Sequence, residues 1–148
     1  MNKPEFLSDL VTRELVGSRW AQLAEPFIYY SAVLGRTLFV PTGFICDYES
    51  VPLLKSYSKR AGVLHDYLGR TDSDPVVSKQ AAADVYAEAQ QLRDHLCATG
   101  WGYLAWRAVL CAIKTTVVRI WPGYYHRHKV AATLADLTGH SAAIEATE

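Results

Sequence analysis

The sequence lacks the motifs that identify several large protein classes. Its three cysteines, Cys46, Cys97 and Cys111, cannot all pair within one chain, and none lies in the CxxC spacing typical of zinc or redox sites. We therefore expect reduced cysteines that pack as small hydrophobic side chains. No HExxH, GxSxG or P-loop sequence occurs, so the familiar zinc peptidases, serine hydrolases and nucleotide-binding proteins lack their signatures here.

Long apolar runs are also missing. Residues 1–15 mix charges with isolated apolar side chains, so we predict no secretory signal peptide. Three basic residues interrupt the most hydrophobic stretch, 101–121, and its longest apolar run, 108–113, is far shorter than the ~20 residues that span a bilayer. The sequence therefore predicts no transmembrane segment.

There is no net charge, because 15 Lys and Arg balance 15 Asp and Glu. Without a basic excess, the usual electrostatic drive for sequence-independent binding to nucleic acid is absent, so nucleic acid is not an expected partner. The charges are unevenly distributed, with acidic residues concentrated between 47 and 94 and basic residues between 107 and 129. A chain of 148 residues that is half hydrophobic predicts a single domain over residues 1–148.

The apolar spacing predicts an α+β fold. Residues 18–40 are rich in aromatic and β-branched side chains, which predicts two or three short antiparallel strands, with a hairpin turn at 34–36. From residue 61 onward the spacing becomes helical. The predicted helices are one that ends at Gly69, one over about 75–98 that begins with Pro75 after caps at 72–74, one near 103–119, and one over 125–137 before a frayed tail at 139–148. We expect the N-terminal strands to pack on this C-terminal bundle of three to four helices.

His65 falls on the apolar face of the first helix, together with Leu64 and Leu68. A buried neutral imidazole needs a partner for its N–H, and Asp47 from the ordered loop at 43–52 or Asp84 from the next helix could supply it. Adjacent helical residues point about 100° apart, so we expect one of His65 and Asp66 to face a site while the other braces the loop. The alternative is a core histidine that caps the loop backbone.

Asp84 is predicted on the inner face of the second helix, where an unpaired carboxylate would cost several kcal/mol. Its candidate partners are His65, Arg60, the Ser50 hydroxyl, the backbone amides of residues 43–52, and a metal ion. Glu88, one turn later, could join Asp84, although we expect it on a solvated helix edge. Asp47 could instead make an Asx turn within its own loop.

Together, Asp47, His65, Asp66 and Asp84 have the ligand types of a divalent metal site, or of a His/Asp pair that activates water. In the catalytic interpretation His65 acts as base or ligand, and Asp84 or Asp47 orients it. In the structural interpretation the same side chains tie the loop to two helices. The basic and aromatic segment 121–129 would suit a phosphate-rich surface, but we prefer a packed corner between helices.

Three motifs in this order resemble a phage and prophage family catalogued as domain of unknown function 1353. They are VPTGFICDYESVP at 40–52, VLHDYL at 63–68 and the Ala–Asp pair at 83–84, and the resemblance covers about residues 19–121. The polar positions of the family fall on Asp47, Ser50, His65, Asp66 and Asp84. The sequence departs from the family pattern at Cys46, Glu49 and Gly69, where threonine, a small residue and tyrosine are usual.

The resemblance implies a phage origin and no established activity. Our first prediction is a phage-encoded virion-associated or assembly protein with a buried His/Asp cluster, whose partners are other phage proteins or further copies of itself. The alternative is a small hydrolase that acts on the host cell envelope and depends on a metal or on the His/Asp pair. We expect synthesis in the bacterial host cytoplasm, with the virion as a further location.

Overall fold

The structure, a computed structural model, describes residues 3–15, 20–48, 59–70, 72–92 and 101–120. Over these residues the chain forms six short strands followed by three helices, which confirms the predicted α+β fold. The strands are β1 (Glu5–Phe6), β2 (Thr12–Glu14), β3 (Ala21–Leu23), β4 (Phe27–Ser31), β5 (Arg36–Val40) and β6 (Ile45–Cys46). The helices are α1 (Lys59–Leu68), α2 (Lys79–Gln91) and α3 (Trp101–Ile120).

The strands form two antiparallel sheets with the orders β1-β4-β5 and β2-β3-β6. The pairing of β4 with β5 begins at Phe27 opposite Val40, and the chain turns at residues 32–35. Gly35 in this turn has a φ of 64°, a conformation that glycine adopts without steric cost, so the predicted hairpin turn is confirmed. Along β4 the side chains of Phe27, Tyr29 and Ser31 are buried, as the period of two along a strand requires.

The strands predicted within residues 18–40 are β3, β4 and β5. The other three, β1, β2 and β6, have only two or three residues each, too few to show an alternating apolar pattern. β6 lies inside the segment predicted as an ordered loop, where it pairs with β3. The fold class was therefore predicted correctly, whereas the number of strands was underestimated.

The helices agree with the predicted spacing, apart from the two ends of α2. α2 stops at Gln91 and not near 98 as predicted, because the backbone of its C-cap, Leu92, is extended. α1 ends at Leu68, directly before Gly69, and α3 covers the helix expected near 103–119. α2 begins four residues later than predicted, because its N-cap is Ser78, whose Oγ accepts a hydrogen bond from the Ala81 N–H at 3.2 Å. The residues expected as caps form a turn in which the Ser73 hydroxyl donates to backbone carbonyl oxygens.

One apolar core connects both sheets with the helices. Its fully buried members include Leu23, Phe27, Leu38, Leu64 and Val85, and Val118 of α3 packs against it. α1 packs on α2, and α2 packs on α3. No helix in the described part of the chain is long and apolar enough to cross a membrane. Residues 93–98, the segment 121–129, the helix predicted at 125–137 and the tail predicted at 139–148 lie outside the described residues.

Candidate functional site

The first part of the predicted site is the chain that leaves β6. Cys46 is buried, and its thiol donates to the carbonyl oxygen of Ala21 at 3.8 Å. Asp47 and Tyr48 follow and are partly exposed. The Tyr48 hydroxyl donates to Oγ1 of Thr12 at 2.6 Å, and the Lys59 ammonium lies 5.0 Å from the centroid of the Tyr48 ring. Contacts from β2 and α1 therefore hold this end of the loop.

Gly62 of α1 provides the closest contact between the loop and the helix. A Cβ atom built on Gly62 would overlap the backbone carbonyl of Tyr48. Tyr48 itself has a φ of 62°, in the left-handed region that few residues other than glycine adopt. The absence of a side chain at residue 62 thus lets the loop backbone lie directly on α1, one helical turn before His65 and Asp66.

The structure places His65 and Asp66 side by side. His65 Nδ1 lies 3.7 Å from Asp66 Oδ1, at ion-pair distance, and the two side chains are 29% and 24% exposed. The His65 ring also meets Tyr86 of α2 edge-on, with 5.5 Å between the ring centroids. We expected the two neighbours to diverge, but their rotamers bring the imidazole and the carboxylate to the same edge of α1.

The carboxyl group of Asp66 interacts with both His65 and Asp47. Burial raises the pKa of Asp66, and the nearby carboxylate of Asp47 raises it further. His65 and the backbone N–H of Asp47, which donates a hydrogen bond to Asp66, oppose that rise in pKa. Oδ2 of Asp66 is buried and has no hydrogen-bond partner among the described residues. We call Cys46, Asp47, His65 and Asp66 the loop–α1 cluster.

Cys46 is a packing residue in this cluster. Burial and the charge of Asp66 raise the pKa of the Cys46 thiol, so it stays protonated at neutral pH. A protonated, buried thiol is a poor nucleophile. Cys46 and Cys111 are both free, in agreement with the prediction of reduced cysteines, while Cys97 lies outside the described residues.

Asp84 lies apart from this cluster. Its carboxylate accepts hydrogen bonds from Arg119 of α3 and from Gln80, one turn earlier on α2. Neither residue that binds it was among the partners considered from the sequence. Across the described residues, no hydrogen bond or ion pair joins Asp84 to His65, and no three His, Cys, Asp or Glu side chains are grouped so that they could hold a metal ion.

The position of Asp84 follows from how α2 is rotated. Its buried residues include Ala82, Val85, Tyr86 and Ala89, so the inner face is centred about one residue away from the predicted face. Asp84 precedes Tyr86 by two positions, about 200° around the helix, and therefore points away from His65. The prediction that Asp84 occupies the inner face is wrong, and its side chain is 34% exposed.

Glu88, expected on a solvated helix edge, is instead the acid on α2 that binds the sheet. Its Oε1 accepts hydrogen bonds from the Tyr29 and Ser31 hydroxyls, each at 2.8 Å, and its Oε2 accepts one from the Val33 N–H at 2.9 Å. Burial, and then the hydrogen bond and charge of Glu88, raise the pKa of Tyr29. The signal in the sequence was Ser31, whose hydroxyl falls at an inward position of β4 and needs a buried acceptor.

Comparison with known protein families finds the same family that the three motifs resemble. Residues 21–109, more than half of the chain, match the family model described as "Protein of unknown function (DUF1353)". The matched region contains the loop after β6, α1, α2 and the first half of α3. Neither the curated proteins nor the solved structures gave a significant match. Ser50, the remaining polar position of the motifs, lies outside the described residues.

Proposed function

We propose, on the premise that the chain belongs to the DUF1353 family, that it is a phage-encoded virion-associated or assembly protein whose loop–α1 cluster is structural. The phage origin is inferred from the resemblance of its three motifs to phage and prophage sequences. In this proposal the cluster holds the loop after β6 against α1, and the protein acts through its surfaces.

The observation that carries this proposal is the binding of the loop backbone by Asp66. Asp66 is partly buried beside the loop and accepts a hydrogen bond from the Asp47 N–H, while Gly62 lies against the Tyr48 carbonyl. A hydrogen-bond acceptor used in this way fixes two segments to each other, and its loss removes the hydrogen bond between them. Asp84, the other acid of the motifs, likewise connects two elements, α2 and α3.

The test compares stability with location. We expect Asp66→Ala and His65→Ala to lower the free energy of unfolding by about 1–3 kcal/mol, as measured by urea denaturation. We also expect the protein to copurify with virions, or with assembly intermediates, of the phage that encodes it, as measured by mass spectrometry of gradient fractions. Variants with unchanged stability, together with absence from every particle fraction, would contradict the proposal.

A second candidate is a His/Asp-dependent hydrolase that acts on the host cell envelope. It is favoured by the 3.7 Å approach of Asp66 Oδ1 to His65 Nδ1, in a place where the imidazole is partly exposed. In this candidate Asp66, in place of Asp84, would orient the ring, and the opposite nitrogen of His65 would take a proton from water. Asp47 would stabilise the protonated ring.

This candidate makes a separate prediction. Purified cell envelopes incubated with the wild-type protein should release soluble sugar or peptide fragments, and His65→Ala should abolish the release without changing stability. A matched control is Asp84→Ala, which removes an acid that binds α3 and should keep the activity. If the wild-type protein releases no fragments, the hydrolase candidate fails and the structural proposal is unaffected.

A further inference from the structure

α3 carries a strip of large apolar side chains on its outer surface. Trp106, Val109, Ile113 and Ile120 are 56%, 49%, 47% and 69% exposed, and Val117 is partly exposed. At about 100° per residue, these five positions fall on one side of the helix, along about 21 Å of its length. We call them the α3 strip. A continuous exposed strip of this kind is typical of an interaction surface.

The α3 strip is not the face that attaches α3 to the rest of the protein. That attachment uses Leu110, which is buried, Val118, which packs against the core, and Arg119, which binds Asp84. The sequence of α3 contains no acidic residue, and none of the five strip positions is charged. Covering the strip therefore removes apolar surface from water without removing the hydration of any charge at those positions.

The spacing of the α3 strip is symmetric about its middle residue. From Trp106 to Ile120 the steps are three, four, four and three residues, with Ile113 at the centre. If two such helices lie antiparallel around a two-fold axis at Ile113, Trp106 of each meets Ile120 of the other, and Val109 meets Val117. A two-fold interface requires this kind of self-complementary surface, whereas a surface that binds a different segment has no need of it.

We propose that α3 pairs with α3 of a second copy of this chain, antiparallel, with Ile113 on the two-fold axis. This inference rests on the proposed assembly function, for which it supplies a partner. Thr116 borders the strip, is exposed and is small, so on that side the two helices can approach closely. A single pair of helices buries less surface area than a standard protein interface, so we expect a dimer that dissociates on dilution.

Sedimentation equilibrium of the full chain tests the pairing. The mass should increase from 16.5 kDa towards twice that value as the concentration rises into the range of tens of micromolar. Ile113→Glu places two like charges together on the axis and should raise the dissociation constant of the dimer by more than about tenfold. Ala112→Glu is the matched control, because residue 112 is exposed on the same helix but outside the strip, and it should still dimerise. Circular dichroism should show the same helix content in both variants.

A cysteine on the axis gives an independent test. In a Cys97→Ser, Cys111→Ser background, Ile113→Cys should form a disulfide-linked dimer on mild oxidation, because residue 113 meets its own copy. Ala112→Cys in the same background should form much less. Cys46 can remain, since it is buried.

Two outcomes would overturn the inference. One is a protein that stays at 16.5 kDa at every concentration and forms no dimer through Ile113→Cys, as expected if residues 121–148 of the same chain, or a different protein, cover the strip. The other is a dimer that Ile113→Glu and Ala112→Glu weaken equally, because it would use another face of α3. Neither outcome would change the effect of Asp66→Ala or His65→Ala on stability, so failure here is distinguishable from failure of the structural role of the loop–α1 cluster.

Discussion

The backbone carbonyl of Tyr48 lies directly against Gly62, so the loop after β6 and α1 touch with no side chain between them. Tyr48 is in the left-handed region, which costs a residue with a side chain of the order of 1 kcal/mol. Packing on α1 therefore holds a strained loop residue in place, and with it the neighbouring Asp47. The position of Asp47 beside Asp66 depends on this contact.

We predict that Gly62→Ala destabilises the protein by about 1–3 kcal/mol in urea denaturation, because the new Cβ must displace the loop. The direction of the change in stability distinguishes the two effects, because helix propensity alone would predict that alanine stabilises the protein by about 1 kcal/mol. Gly69→Ala is the control. Its Cβ would meet the carbonyl oxygens of His65 and Asp66 at 3.2 and 3.6 Å, without the overlap found at Gly62, so it should cost clearly less. Equal losses of stability for Gly62→Ala and Gly69→Ala would show that the loop shifts at little cost and that the contact between Gly62 and Tyr48 contributes little stability.

Glu88 and Asp84 lie one turn apart on α2, and neutralising them should lower the free energy of unfolding by different amounts. Glu88→Gln weakens the acceptor of three hydrogen bonds, two of them from the fully buried Tyr29 and Ser31, and should cost about 1–3 kcal/mol. Asp84→Asn removes the charge from an ion pair whose side chains are 34% and 45% exposed, and should cost less than about 1 kcal/mol. Urea denaturation of both variants measures the difference, and the reverse order would contradict the assigned roles.

The same two residues show where prediction from the sequence stopped. The α+β class was predictable because β4 alternates buried and exposed positions and α1 has a regular apolar spacing. α2 is different, since alanines occupy much of its surface and give little indication of which side is inner. A rotation of about one residue then moves Asp84 off the expected inner face, where it binds α3, while the longer side chain of Glu88 reaches the sheet.

The motifs grouped four candidate site residues. Three of them, Asp47, His65 and Asp66, lie near the contact between the loop and α1, whereas Asp84 binds α3. The close contact at Gly62 was not predictable, since it depends on tertiary packing and not on local pattern. The side-by-side arrangement of His65 and Asp66 depends on rotamers, which the spacing along a helix does not determine.

Asp66→Asn should change how stability depends on pH. Burial raises the pKa of Asp66 above its ordinary value of 3.8, so the folded protein keeps this proton at pH values where the unfolded chain has lost it. The stabilising effect of the protonated group is therefore complete below about 3.8 and is lost as the pH rises through the folded pKa. The amide introduced by the substitution does not ionise and lacks this dependence. The stability of the wild type relative to the variant should fall as the pH rises above about 3.8, by at most about 1.4 kcal/mol per pH unit.

Urea denaturation at several pH values, with wild type and Asp66→Asn in the same buffers, measures this change. If the stability of the wild type relative to Asp66→Asn rose as the pH increased above about 3.8, Asp66 would be stabilised as a carboxylate, and its assignment as a partly buried, destabilised charge would be wrong.

Arg70 should be far more sensitive to conservative replacement than Arg36. The Arg70 side chain is 6% exposed, binds Asp72 through Nε and a terminal nitrogen, and lies 5.2 Å from the centroid of the Phe44 ring. Lysine can supply the charge but neither the paired hydrogen bonds nor the planar stacking, so Arg70→Lys should cost about 1–3 kcal/mol. Arg36 makes an exposed ion pair with Asp74, so Arg36→Lys should change stability by less than about 0.5 kcal/mol.

The hydrogen bonds from Arg70 also lower the pKa of Asp72 below 3.8, and the stability they contribute is lost as the pH falls through the folded pKa. The difference between wild type and Arg70→Lys in urea denaturation should therefore narrow below about pH 3.8, and a difference that widened there would contradict the pairing of Arg70 with Asp72.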